Sequence, residues 1–181
     1  MSGTVEERMS RAVEAFGKDL GGFRTGRASA SLVEHITVDH YGAKTPLNQM
    51  AGISVPENTL LVVQPWDPSA IPAIEKALNN AQLGMTPAVD GNIIRLRVPS
   101  MTEERRKDLV KQMGKRTEEA RIEIRSARRD EQEAIKNLEK HKEIGEDDAR
   151  RRLEALQKAT DAKTAEIDRM AASKEREVLE G

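Results

Sequence analysis

The chain has 181 residues, 34% of them charged and 2% aromatic, with a formal net charge of -1 and no cysteine. These values exclude a disulfide scaffold, a thiolate metal site and a cysteine nucleophile. They also give no global attraction to a polyanion, so a nucleic-acid surface has to be a local patch. No apolar run approaches the ~20 residues that span a bilayer, and residues 1–11 lack the apolar centre of a signal peptide. A soluble, cytoplasmic protein without a membrane partner is expected.

The four aromatics are Phe16, Phe23, Tyr41 and Trp66. A core must therefore be made from Leu, Ile, Val, Met and Ala, which suits long helices that bury only a stripe. All seven prolines lie between Pro46 and Pro99. Proline costs ~3 kcal/mol in a helix interior, so the order predicted is helix, turn-rich segment, long helices.

The first helix carries the stripe Val5, Met9, Ala12, Phe16, Leu20, Phe23, Arg27, spaced by threes and fours. Thr4 and Glu7 fit a capping box. Gly21 and Gly22 weaken its last turns, which then depend on tertiary contacts. In residues 30–100 only 10 of 71 are charged, and 36–41 (ITVDHY), 59–63 (TLLVV) and 93–98 (IIRLRV) are β-like runs. Asp90-Gly91 makes a hairpin-type turn before the last run. Asp67 as N-cap and Pro68 at the first helical position begin a short helix. Ile71, Ile74, Leu78 and Ala81 form its face, and Gly84 ends it.

From Thr102 onward, 42 of 80 residues are charged, so each later helix is stabilised only through its stripe. One stripe runs Leu109, Met113, Thr117, Ala120, Ile124, Ala127, Ala134, Leu138, with Glu131 on the seam. The other runs Ala149, Leu153, Leu156, Thr160, Ile167, Met170, Lys174, Val178. Gly145 separates them, and Glu146, Asp147 and Asp148 supply carboxylates for a helix start. The first helix is the natural third member of the bundle. The chain then reads as an α+β protein with a long antiparallel three-helix bundle. The bundle comes from residues 1–29 and 102–181; residues 30–101 form an inserted small β/α/β domain. Two thin crossings near Ser29 and Ser100 would act as a hinge.

Charge is sorted along the helices. Residues 105–129 hold ten Lys or Arg against four Asp or Glu, whereas residues 130–181 hold eleven against fifteen. Arg121, Arg125 and Arg128 fall within about 60° on a helical wheel, roughly 120° from the apolar stripe, and so are expected to face solvent. Arg129 borders them, Arg106 lies on the order of 33 Å away along the axis, and Arg24 and Arg27 add charge from the first helix. Two readings stand: a cationic surface for a phosphate backbone, or a solvated face with local partners such as Glu118 for Arg121 and Glu119 for Arg116.

Other candidates carry less. His35, His40 and His141 lack metal-ligand spacing, and Trp66 beside Pro65 and Asp67 reads as a packing anchor. No phosphate loop or dinucleotide fingerprint is present. No nucleophile, base and orienting group can be nominated, so neither an enzyme nor a cofactor is expected. Two rivals use the same pattern: a coiled-coil adaptor, marked by a continuous exposed apolar stripe, and a small enzyme with a cleft in the β-rich segment.

The runs RTGRA at 24–28, TEERRKDL at 102–109 and RRD at 128–130 resemble the ribosome recycling factor family. So do PL at 46–47, WD at 66–67, IRL at 94–96, Arg125 and EDD at 146–148. The resemblance covers the whole chain in order. It implies an L-shaped, monomeric, non-enzymatic factor that binds the post-termination ribosome through large-subunit rRNA. With elongation factor G and its GTP hydrolysis, such a factor splits the subunits and frees the ribosome from mRNA. It assigns rRNA contacts to Arg24, Arg27, Arg106, Arg125, Arg128 and Arg129, a close-approach role to Gly26, and the hinge to Ser29, Ala30, Ser100 and Met101. Pro99-Ser100-Met101 stands where many members have Pro-Pro-Leu, and Gly145 where many have Ser.

Overall fold

The computed structural model describes residues 3–180. The fold is α+β and divides into two compact units: a helical one that ends at Arg24 and resumes at Glu103, and a second spanning Thr25–Thr102.

Three helices make the first unit, α1 (Val5–Gly21), α3 (Glu103–Lys140) and α4 (Glu146–Glu180), while α2 (Ile71–Asn80) belongs to the second. Each packs on the other two. Arg8 of α1 meets Glu123 and Asp130 of α3, while Asp19 meets Arg116, so α1 and α3 run antiparallel. Arg121 meets Asp168 and Arg128 faces Gln157, so α3 and α4 are antiparallel as well. Thr4 caps α1 through the reciprocal bonds of a capping box with Glu7.

Met9, Val13, Phe16 and Leu20 of α1 are buried with Leu109, Met113, Thr117, Ala120, Ile124, Ala127 and Ile135 of α3, and with Ala149, Leu156, Thr160, Ile167 and Val178 of α4. Burying one such Leu, Ile or Phe contributes roughly 1.5–3 kcal/mol. The two buried threonines return their hydroxyls to the carbonyl four residues back, Thr117 to Met113 and Thr160 to Leu156, so neither is left without a partner. Gly17 leaves room for Met170, whose Cε would lie 2.9 Å from an added Cβ.

Three expectations for the helices need correction. α1 stops at Gly21, where the Gly22 amide closes on Asp19 and Leu20, so Phe23, Arg24 and Arg27 lie beyond it. The two glycines lower propensity just where the apolar pattern thins, and the helix ends rather than being carried through by packing. Val13, not Ala12, is the fully covered residue of its turn. In α3 the stripe passes from Ala127 through half-buried Glu131 to Ile135, leaving Ala134 exposed. Two steps of four follow the true helical period and bury the larger side chain.

In the second unit, β1 (Thr37–His40) and β2 (Ala43–Pro46) form a hairpin. β3 (Ala51–Glu57), β4 (Leu60–Pro65), β5 (Pro87–Asp90) and β6 (Ile93–Arg97) form an antiparallel sheet in the order β3-β4-β6-β5. Prolines within this sheet keep to places where a missing N–H is tolerated: Pro56 and Pro87 on the two edge strands and Pro65 at the end of β4. Leu61 pairs with Leu96 and Val63 with Ile94 across β4 and β6, and all four side chains point inward. α2 (Ile71–Asn80) covers them with Ile71, Ile74 and Leu78. Asp67 caps a short 3-10 turn, Pro68–Ala70, that leads into α2. The left-handed residue that follows α2 first is Gln82, with Gly84 two positions later, and Ala81 is exposed. β2, β3 and β5 are strands that the composition does not announce.

Candidate nucleic-acid interface

α3 carries in residues 105–129 a basic stretch long enough to follow a backbone, and its packing sorts its side chains by direction. The edge toward α1 is neutralised. Arg8 donates to Asp130 at 2.6 Å and to Glu123 at 3.2 Å, which holds its guanidinium pKa above the ordinary arginine value, chiefly through the Asp130 bond. Arg116 is bound to Asp19 and lies over the Phe16 ring at 5.8 Å.

The edge toward α4 holds Arg121 and Arg128, and here the structure corrects the sequence reading. Arg121 does not face open solvent. It is half-buried, donates to Asp168 at 2.6 and 3.0 Å and meets Glu118 at 3.3 Å. Arg128 is half-buried too, with its Nε covered and without a partner and its Nη1 3.5 Å from the Gln157 side-chain oxygen. Both follow directly after buried alanines, Ala120 and Ala127, so their stems lie along the seam while the heads reach outward. Arg125 is exposed, but its Nη2 is 2.5 Å from Glu118. Part of the expected cationic face is therefore spent on internal pairs.

The outward side of α3 is different. Arg129 is exposed and has no partner among the described residues, and the same holds for Lys111, Lys115 and Lys136. Steps of seven residues carry Lys115 to Ile122, Arg129 and Lys136 along one line, and Ile122 is 55% exposed at its middle. From Lys111 to Lys136 this row runs about 37 Å. The three lysines are weaker sequence signals than the arginines; Lys115 and Lys136 stand out only by sharing the seven-residue spacing of Arg129.

The remaining candidates are scattered. Arg106 continues the apolar stripe one turn before Leu109 and is half-buried. Arg24 is exposed beyond α1, while Arg27 is half-buried in the second unit; all three engage in interactions within the chain. Gly26 has φ +76, and a Cβ there would lie 3.3 Å from the Met101 Cε, so it combines an unusual dihedral with a close approach. Ser29 caps the 3-10 turn Ala30–Leu32. Ser100 is exposed and Met101 half-buried, both outside helices and strands.

Trp66 is 68% exposed and is no packing anchor. Alternation along β4 turns Leu61, Val63 and Pro65 inward and leaves the next residue outside. Tyr41, 84% exposed, donates its hydroxyl at 3.4 Å to the carboxylate of Asp67, the residue after Trp66. Asp67 is held below the usual carboxylate range, first by the Ser69 hydroxyl. A groove of about 620 Å³ between β1 and α2 is lined by His35, Asp39, Lys76 and Asn80 among others. Among the described residues no group of three or more His, Asp or Glu could hold a metal, and no helix is long and apolar enough to cross a membrane.

A three-helix antiparallel unit interrupted by a small α+β unit defines a class of α+β protein in which one long helix displays a row of cations. The family model for ribosome recycling factors matches residues 16–179. Ribosome-recycling factors of Bacillus pumilus and Rhodopseudomonas palustris are 49% and 51% identical to the chain, each over 97% of it and over 95% and 94% of their own lengths. A solution structure of a ribosome recycling factor superposes with a TM-score of 0.74 at 45% identity, covering 98% of this chain and 94% of that one. The T. thermophilus factor, in a structure with E. coli elongation factor G on the E. coli post-termination complex, gives a TM-score of 0.63 at 40% identity over 97% and 95% of the two chains. The chain belongs to the ribosome recycling factor family, whose members are non-enzymatic factors of translation.

Proposed function

We propose that this chain recycles ribosomes by laying the outward face of α3 on large-subunit rRNA of the post-termination ribosome. Elongation factor G and its GTP hydrolysis then drive the subunits apart and free the ribosome from mRNA. The helical unit, which ends at Arg24 and resumes at Glu103, is the RNA-gripping rod. Residues 30–101 swing about Ser29, Ala30, Ser100 and Met101 and receive the push. The factor works as a cytoplasmic monomer and needs no cofactor. The supporting observation is the row Lys111, Lys115, Arg129 and Lys136, exposed and without partners among the described residues. Arg125 and Arg128 flank this row, and Arg24, Arg27 and Arg106 add contacts beyond it. A polyanion gains most from cations that have no internal anion to give up.

Neither rival has such support. A coiled-coil adaptor needs a continuous exposed apolar stripe, whereas the large exposed apolar residues of α3 and α4 are Ile122 and Leu179. A small enzyme needs convergent groups in a cleft, and His40, Glu57 and Asp67 do not line the groove that holds Asp39.

The test is cosedimentation with large ribosomal subunits across a salt series. Arg129→Ala and Arg128→Ala should each weaken binding with an unchanged circular dichroism helix signal. Each lost phosphate contact should lower the log–log salt slope by about 0.7–0.9. Equal binding by Arg129→Ala, whose side chain has nothing else to hold, would count against the assignment.

A further inference from the structure

Between Lys111 and Arg129 the outward arc of α3 holds one carboxylate, Glu118, among basic, apolar and glycine positions. The other acids of that stretch lie toward the α1 edge: Glu119 is 4.0 Å from Arg116, and Glu123 meets Arg8. Glu118 takes two arginines at once. Its Oε1 accepts from Arg125 at 2.5 Å and its Oε2 from Arg121 at 3.3 Å.

The pair with Arg125 spans seven residues, about 10.5 Å of helix axis. Ordinary helix-surface pairs join residues three or four apart. A seven-residue pair needs both side chains extended toward each other along the surface, which costs rotamer freedom. Glu118 and Arg125 are about half exposed, and such exposed pairs contribute little to stability. The carboxylate is therefore in a position to be exchanged for another anion.

We propose that Glu118 is a built-in competitor of the RNA backbone, an anion that occupies Arg125 and part of Arg121 until a phosphate displaces it. This rests on the reading of α3 as the RNA-facing helix and adds a device to it. Binding at the centre of the row becomes an exchange of a carboxylate for a phosphate. Affinity is set below what the arginines alone would give, so the factor can leave as readily as it arrives. The exchange also filters ligands. An isolated or poorly placed anion does not repay the loss of both Glu118 contacts, whereas a backbone already anchored on Lys115 and Arg129 does. The competitor is charged at neutral pH as any ordinary glutamate is, and the Arg125 and Arg121 bonds lower its carboxyl pKa further.

Glu118→Gln keeps the size and removes the charge. In the full-length protein it should bind large ribosomal subunits about 3–10-fold more tightly, the gain shrinking as salt rises, since screening weakens what the removed charge opposed. Glu154→Gln makes the same charge change on an exposed residue of α4 and should leave binding unchanged. Unchanged or weaker binding by Glu118→Gln with intact helix content, or an equal gain from Glu154→Gln, overturns the proposal. Failure of the underlying reading looks different: Arg129→Ala would then bind as the parent does. If Arg129→Ala weakens binding and Glu118→Gln does nothing, the row stands and the competitor falls.

Discussion

Single residues in this chain carry information that their type alone does not. Glycine at position 26 is an example. Its φ of +76 is a region L side chains rarely adopt, and Met101 occupies the space a Cβ would need to share. Gly26→Ala should lower stability by about 1–2 kcal/mol, the cost of forcing an L residue into that region, as measured by chemical denaturation. No loss would mean the local backbone relaxes freely. The RTGRA run made this glycine noticeable, but its neighbour across the fold is 75 positions away in the chain, and no local pattern names it. The arginines teach the opposite lesson. Their count and spacing were legible, and so were the local partners Glu118 of Arg121 and Glu119 of Arg116; the distant partners were not, because Asp168 and Gln157 reach Arg121 and Arg128 only once α4 packs on α3.

At the scale of elements, the helices were legible because burial follows their apolar period. The ends were harder. α3 closes in a paired-bond cap: the Glu143 amide donates to the Leu138 carbonyl at 2.9 Å and the Lys142 amide to the Glu139 carbonyl at 3.0 Å. The left-handed position of that cap, φ 57, is filled by Lys142 rather than glycine. Lys142→Gly should raise stability by about 0.5–1 kcal/mol, since the relieved strain exceeds the extra freedom of the unfolded chain. Thermal unfolding of the variant checks this, and a lower midpoint would show that the lysine side chain contributes more than its backbone costs. The β1–β2 hairpin escaped notice for a related reason. Its turn is Tyr41-Gly42, both with positive φ, and tyrosine is not a residue that signals such a turn. β2, β3 and β5 are mostly exposed strands whose pairing comes from the sheet rather than from their own composition.

At the scale of the whole molecule, two units with separate cores should respond separately to core damage. Leu61 is fully buried in the second unit. Leu61→Ala should cost about 2–5 kcal/mol there, with loss of amide protection in β4 and β6. Protection in α3 and α4 should persist. Loss of protection in both units together would mean they unfold as one.

The sequence by itself determined the plan. Proline placement, charge density and apolar period fixed three long helices around a β-rich insert, since those constraints act within a few residues of each other along the chain. The tertiary structure decided which charges are available for work. Whether an arginine grips a carboxylate or waits for a phosphate depends on what a distant helix places within about 4 Å of it. For Arg121 and Arg128 that distance is set by how α4 packs on α3, and no spacing along α3 contains it.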